Sequence, residues 1–289
     1  MTKLFDKLYL NVGAMKAGTT WLYRQLEQHP EIVFSHEKEL HYLAYRDGNK
    51  HVLNQKYKAN RRDNALARFN GDKSSPEYAQ LLQWYESHME TTMDDAWYRG
   101  RFPGQLAARQ YCADFSNLTC LVGVPTWEAI LAMVGQVKVS YVLRNPYDRM
   151  WSHYKFHYQM QQFNVHPDKL TEDDFRAFDK ANQTMLHSSY SQHIVRMRQC
   201  VDSDSLKLVA YDDIQLQPAV LLRGIEDFLG INHHQYLPGK VKRKINASES
   251  LSAPDCFYKT FAEAVDKELA ALAGLGFDIP KSWFAGGSV

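Results

Sequence analysis

Residues 8–13 read Leu-Tyr-Leu-Asn-Val-Gly, an apolar alternation ending in glycine, as expected of a buried strand that enters a turn. Past the turn, Leu22 and Leu26 recur at helical spacing within residues 19–28, and His29-Pro30 stops the helix. The opening unit is therefore strand, glycine turn, helix. A short second strand is expected at residues 32–34, leading into Ser-His-Glu-Lys-Glu-Leu-His-Tyr at 35–42. Residues 45–110 are polar and aromatic and read as helical cover for a sheet, with a helix around 79–89. The β-branched run 137–143 is the strongest strand in the chain and ends at Arg144-Asn145-Pro146. A helix should follow from Pro146 through Trp151 and beyond, with proline in its first turn. Residues 159–183 read as a variable surface segment, 206–210 as a strand and 211–213 as a turn. Residues 218–229 form an amphipathic helix closed by Gly230. Strands alternating with helices predict an α/β fold, a central and mainly parallel sheet with helices on both faces, as one domain over residues 1–289.

Composition narrows the chemistry. The 289 residues carry 34 Lys and Arg against 33 Asp and Glu, a formal net charge of +1, so no global field draws in nucleic acid or an anionic membrane. Any anion site must be local. Cys112, Cys120, Cys200 and Cys256 lie far apart without C-x-x-C spacing, which argues for reduced thiols rather than a zinc cage or a disulfide framework. No run approaches the roughly 20 apolar residues of a membrane-spanning helix. The first residues show no apolar core or cleavage site of a signal peptide. A cytoplasmic protein without membrane insertion is the expectation; oligomeric state is not legible.

The first chemical feature is Gly13-Ala-Met-Lys16-Ala17-Gly18-Thr19-Thr20-Trp21, between a strand and a helix, where backbone N–H groups and the helix N-terminus can hold a phosphate. A nucleoside-triphosphate loop would place lysine after the second glycine; here Lys16 precedes Gly18 and Thr19 takes that place. The second feature runs from Tyr141 through Arg144, Asn145 and Pro146 to Ser152, His153 and Tyr154, again a strand end entering a helix. A Walker B strand would end in Asp where this one ends in Arg144, which weakens a small-molecule kinase reading. His36-Glu37 followed by His41 is one residue too long for the H-E-x-x-H zinc pattern, so no metal is expected. Asp212 and Asp213 are read as helix capping.

Together these motifs resemble those of the sulfotransferases that use 3′-phosphoadenosine 5′-phosphosulfate (PAPS) and release the bisphosphate PAP. The pattern is nearest to the heparan-sulfate-type carbohydrate enzymes, in soluble form. The resemblance covers roughly 8–43, 111–154 and 205–248, including Tyr211-Asp212-Asp213 and Phe228-Leu229-Gly230 as scaffold. It implies that Lys16 contacts the oxygen bridging phosphate and sulfate, and that Ala17, Gly18, Thr19 and Thr20 grip the 5′-phosphate. Trp21 either stacks on adenine or is a core residue at a helix start. Arg144 and Ser152 would take the 3′-phosphate, one as a bidentate cation and one as a hydroxyl donor. Glu39, two residues before His41-Tyr42, matches the general base, with Glu37 as its neighbour and His41 as its rival. Lys244 and Asn246, in the basic run 240–248, would close over the donor.

Asp114 matches an acceptor-side element, yet Phe115 stands where a lysine is expected, which leaves the acidity of the acceptor open. His153, with Lys155, His157 and Tyr158, either lines an acceptor cleft or packs. The function implied is in-line sulfuryl transfer to a hydroxyl or amine of a small-molecule or glycan acceptor. A small-molecule kinase and a non-catalytic nucleotide- or glycan-binding relative are the alternatives.

Overall fold

The computed structural model describes residues 3–104, 107, 110–159, 169–237 and 251–284. Strand β1 (Phe5–Asn11) is the middle of the sheet, and Leu8, Tyr9 and Leu10 are all buried because both of its faces are covered. Gly18 then leads into α1 (Thr19–Leu26), and the chain returns through β2 (Ile32–Phe34). A long excursion carries α2 (Tyr42–Arg46), α3 (Gln55–Ala67), α4 (Pro76–His88) and α5 (Asp95–Arg99) before β3 (Tyr111–Asp114). After α6 (Val124–Met133) comes β4 (Val134–Leu143), then α7 (Pro146–Gln159), α8 (Glu172–Asn182) and α9 (Tyr190–Arg198). Strand β5 (Leu206–Ala210) is followed by α10 (Tyr211–Leu216), α11 (Pro218–Leu229) and α12 (Asp255–Gly274).

The five strands lie in the order β2-β3-β1-β4-β5, and every neighbouring pair is parallel. Strands are thus added on one side of β1 and then on the other. In open α/β sheets, ligands bind outside the carboxyl ends of strands where the order reverses, here the ends of β1 and β4. The register sets Leu10 beside both Val139 and Asp114, and β4 runs on to Leu143, where the turn leaving β1 still meets it through hydrogen bonds of Gly13 and Ala14 with Val142.

The expected α/β fold with a parallel sheet is the one observed, and β2, β5 and α11 fall on their expected residues. Gly230 closes α11 in the left-handed conformation, at φ 65°. Three local expectations are corrected. Residues 211–213 are not a turn but the first turn of α10. Asp212 and Asp213 do not cap a helix: Asp212 accepts hydrogen bonds from Ser282 and Trp283, and Asp213 accepts one from Gln217.

The third correction concerns 159–183, which is not merely surface, since it contains α8. A capping box between Thr171 and Asp174 starts that helix, and Phe175 and Phe178 bury its inner face. Phe175 meets the rings of Trp151, Tyr154 and Phe257, joining α7, α8 and α12. Truncating it leaves a cavity where three helices converge. Phe175→Ala is expected to cost about 3–5 kcal/mol of stability, read as a lowered denaturant midpoint at unchanged slope.

Candidate active site

The turn after β1 stays tied to β4 beyond the end of the strand. The Ala14 N–H donates to the Val142 carbonyl and the Val142 N–H to the Gly13 carbonyl, both at 2.8 Å. Lys16 and Gly18 take positive φ, 65° and 79°. Gly18 needs its missing side chain, for a Cβ there would lie 2.8 Å from both the Tyr211 ring and Ile214. Gly18 therefore lets the loop settle on the start of α10 before α1 begins.

Arg144, at the end of β4, reaches across and donates from Nη1 to the Lys16 carbonyl at 2.9 Å. Its guanidinium lies 4.6 Å over the Tyr211 ring, and its buried Nε has no hydrogen-bond partner among the described residues. A buried guanidinium N–H without an acceptor is costly, and an anion entering here would satisfy it. The Lys16 ammonium sits 4.5 Å over the Phe156 ring. Burial, and then the nearby charges of Arg144, Lys155 and Arg149, push its pKa below the usual lysine value. Several cations thus lie close to Lys16, where they repel each other until an anion offsets them.

Glu39 stands in the segment after β2, beside the start of α1. Its Oε1 accepts from Lys38 Nζ at 2.8 Å and from Asn117 Nδ2 at 3.0 Å, and its Oε2 lies 3.5 Å from His41 Nε2. Burial by itself would raise this carboxyl, but the contacts with His41 and Lys38 outweigh it and hold the pKa down to about 2. Lys38 also donates to Thr19 Oγ1 at 3.3 Å, linking this segment to the first residue of α1.

The backbone here is pinned from β3. The His41 N–H donates to Ser116 Oγ at 2.9 Å, and Ser116 in turn donates to Asp114 Oδ1 at 2.5 Å. The other oxygen of Asp114 accepts from Tyr98 at 2.9 Å. Asp114 is only 2% exposed, and burial raises its pKa. Through Ser116 it braces the His41 backbone from inside. Glu37, the alternative base, is likewise occupied by Arg61 of α3 and Tyr85 of α4.

The other expected residues fall around these two groups. Ala17 and Thr19 are buried and Thr20 is half-buried. Trp21 belongs to the hydrophobic core. Ser152 is half-buried on α7, the helix that follows Arg144. His153 is buried with its Nε2 3.1 Å from His157 Nε2, and burial followed by the charge of Arg149 holds its pKa down to about 3. Lys244 and Asn246 lie outside the described residues. Phe115 faces the rings of Tyr9, Tyr23 and Phe34 in the core, so its position does not look into the crevice.

Lys38, Asn117 and Tyr211 were not singled out from the sequence as site residues. The only hint was their place beside Glu39, after Asp114 and inside the scaffold segment. Among the described residues no group of three or more His, Cys, Asp or Glu could hold a metal ion, and no helix is long and apolar enough to cross a membrane.

The model of the sulfotransferase domain family matches residues 8–253. A sulfotransferase from Alicyclobacillus acidocaldarius superposes with a TM-score of 0.67 at 19% identity, covering 96% of this chain and 98% of that one. The sulfotransferase domain of the Synechococcus PCC 7002 olefin synthase gives 0.54 at 16% identity, covering 97% and 98%. The sulfotransferase domain from the curacin biosynthetic pathway gives 0.55 at 14%, covering 96% and 99%. At these identities the likeness is one of fold. No curated protein matches the chain.

The close approach at Gly18 supplies a test of how the crevice is held together. Gly18→Ala adds a methyl group at a positive φ and drives it into the ring beneath Arg144, so a loss of about 1–3 kcal/mol is expected in denaturant unfolding. Tyr211→Leu in the same background should recover part of that loss by relieving the clash.

Proposed function

The chain belongs to the sulfotransferase domain family and is a sulfotransferase, and we propose that it moves the sulfuryl group of PAPS in line onto a hydroxyl or amine of a carbohydrate or glycoconjugate acceptor, releasing PAP. The family assignment displaces the kinase and the non-catalytic relative considered from the sequence. The observation that carries the donor reading is the contact between the two turns. Arg144 holds the Lys16 carbonyl while its own Nε faces no partner, so an amine and a guanidinium flank one crevice at the carboxyl ends of β1 and β4. This pairing suits a small polyanion with phosphate at two positions.

In this reading the loop 16–20 and the start of α1 grip the 5′-phosphate, and Arg144 with Ser152 takes the 3′-phosphate. Glu39 accepts the proton of the attacking group. A new bond forms between the acceptor oxygen or nitrogen and sulfur, while the bond from sulfur to the bridging oxygen breaks. That electron pair stays on the 5′-phosphate oxygen, where Lys16 offsets the growing charge. A carboxylate held near a pKa of 2 is a weak base. It suffices for a proton that becomes strongly acidic as its oxygen bonds to sulfur. The carbohydrate assignment rests on the likeness of residues 37–42 to the carbohydrate-acting type, and His41 supports Glu39 rather than replacing it.

The direct test is transfer of label from radiolabelled PAPS across a panel of glycan, phenol and small-alcohol acceptors. Transfer to a sugar hydroxyl or amine supports the reading, while transfer confined to phenols overturns the acceptor class. Lys16→Ala is expected to lower kcat by about 10²–10³-fold with PAPS, and unchanged turnover would overturn its role.

The pH dependence has a definite sign. Glu39 keeps its charge down to about pH 2, so its protonation removes no activity between pH 5 and 8. Lys16 loses its proton below the usual lysine range, so kcat/KM should fall on the alkaline side at a pH lower than ordinary for lysine. Lys16→Arg should abolish that alkaline fall while keeping a reduced rate.

A further inference from the structure

Lys38 lies between the two halves of the site and has no part in the reaction described above. Its ammonium contacts Glu39 Oε1 at 2.8 Å and Thr19 Oγ1 at 3.3 Å, so it bridges the candidate base and the first residue of the helix that follows the phosphate loop. Its side chain is only 16% exposed. An ammonium has three N–H donors in a tetrahedral array, and these two contacts leave the third to point elsewhere. The same carboxylate oxygen also accepts from Asn117, so Glu39 stays oriented even without Lys38.

Two demands on this site conflict as it stands. Glu39 takes a proton more readily the less its charge is paired, yet Lys38, Asn117 and His41 all hold it. The transferring sulfonate must be neutralised on the side away from Lys16, yet Phe115 is turned into the core and brings no charge there. One movable cation resolves both.

We infer that Lys38 is a further catalytic residue: with no donor bound its ammonium holds Glu39, and with donor bound it turns to the sulfonate oxygens beside Thr19, freeing Glu39 for the proton of the acceptor. Glu39 is then released only when a sulfuryl group is present to be transferred. This rests on the donor assignment made above and leaves the bonds made and broken unchanged. The move is short, since Thr19 already shares the ammonium with Glu39. A lysine stem, with its free rotations and point charge, is suited to such a change of partner, whereas a planar guanidinium is less so.

The signature lies in comparing two ligands that differ only by the sulfonate. In equilibrium titrations without acceptor, Lys38→Met should weaken PAPS by about 10-fold or more while leaving PAP nearly unchanged, because a charge-assisted hydrogen bond to the sulfonate is lost. Its kcat should fall by about 10²-fold, and Lys38→Arg should restore only part of that.

The acid limb of kcat/KM gives the second readout. The charged and titratable groups around Glu39 are Lys38 and His41 of its own segment, Tyr57 and Arg61 of α3, and Asp114 of β3. Removing Lys38 takes away a charge that holds the Glu39 carboxyl down, so the limb should move to higher pH. Equal loss of PAPS and PAP affinity would show a merely structural lysine and overturn the inference. Should the unaltered protein bind neither PAPS nor PAP, the donor assignment itself falls and takes this role with it.

Discussion

The donation from the Arg144 guanidinium to the Lys16 carbonyl holds together two turns that electrostatics would otherwise drive apart. Both turns carry cations, and Lys155 and Arg149 add to the repulsion felt by Lys16. The backbone counters this with a ladder that runs past the end of β1, through Gly13, Ala14 and Val142, and with an aromatic face under Arg144. A cluster of like charges fixed by backbone and ring contacts is already arranged for an anion before one arrives. The reorganisation that a flexible site would need at the moment of reaction is thus made during folding.

The opposite wall is built on different principles. Here the carboxylates are satisfied one by one: the buried Asp114 by Tyr98 and Ser116, the buried Glu37 by Arg61 and Tyr85, and the half-buried Glu39 by Lys38 and Asn117. Most of these bonds cross from one element to another, so the segment 35–42, which has little regular structure of its own, takes its position from the end of β3, from α3 and α4 and from Asn117. Register does the rest. β4 runs on past Val139 to Leu143 and the Gly13-Ala14 backbone follows it to Val142, so the phosphate loop and the Arg144 turn leave the sheet side by side, while β3 ends at Asp114, level with Leu10.

Much of this was legible in residue order, for local reasons. β5 and α11 carry their own boundary signals, a β-branched or leucine-rich run and the pair Pro218 and Gly230. Lys16 and Arg144 sit in turns whose chemistry is spelled by adjacent residues. What escaped was set by distant partners. β3 is only Tyr-Cys-Ala-Asp, too short for its period to show, and it is buried because strands pair on both sides of it. α8 carries its inner face on just Phe175 and Phe178 among charged residues, and the aromatic rings that define that face come from α7 and α12. The bridge of Lys38 between Thr19 and Glu39 joins residues nineteen positions apart, and no spacing rule encodes it. The charge of Asp114 is plain in the sequence, but the Tyr98 and Ser116 hydroxyls that enclose it are not.

The excursion between β2 and β3 leaves the sheet at Phe34 and returns at Tyr111, although these strands are neighbours. It is fastened to the sheet by the Tyr98 bond to Asp114 and by Tyr98 and Phe102 packed on Phe5 of β1, and held together within itself by Arg61 and Tyr85 on Glu37 and Tyr42 on Asp95. Closing a longer loop costs only about 0.6 kcal/mol for each doubling of length, so such an insert can grow, shrink or be exchanged at little thermodynamic penalty. Changes of length or content in that stretch can therefore reshape the surroundings of Glu39 without touching the backbone ladder that positions Lys16 and Arg144.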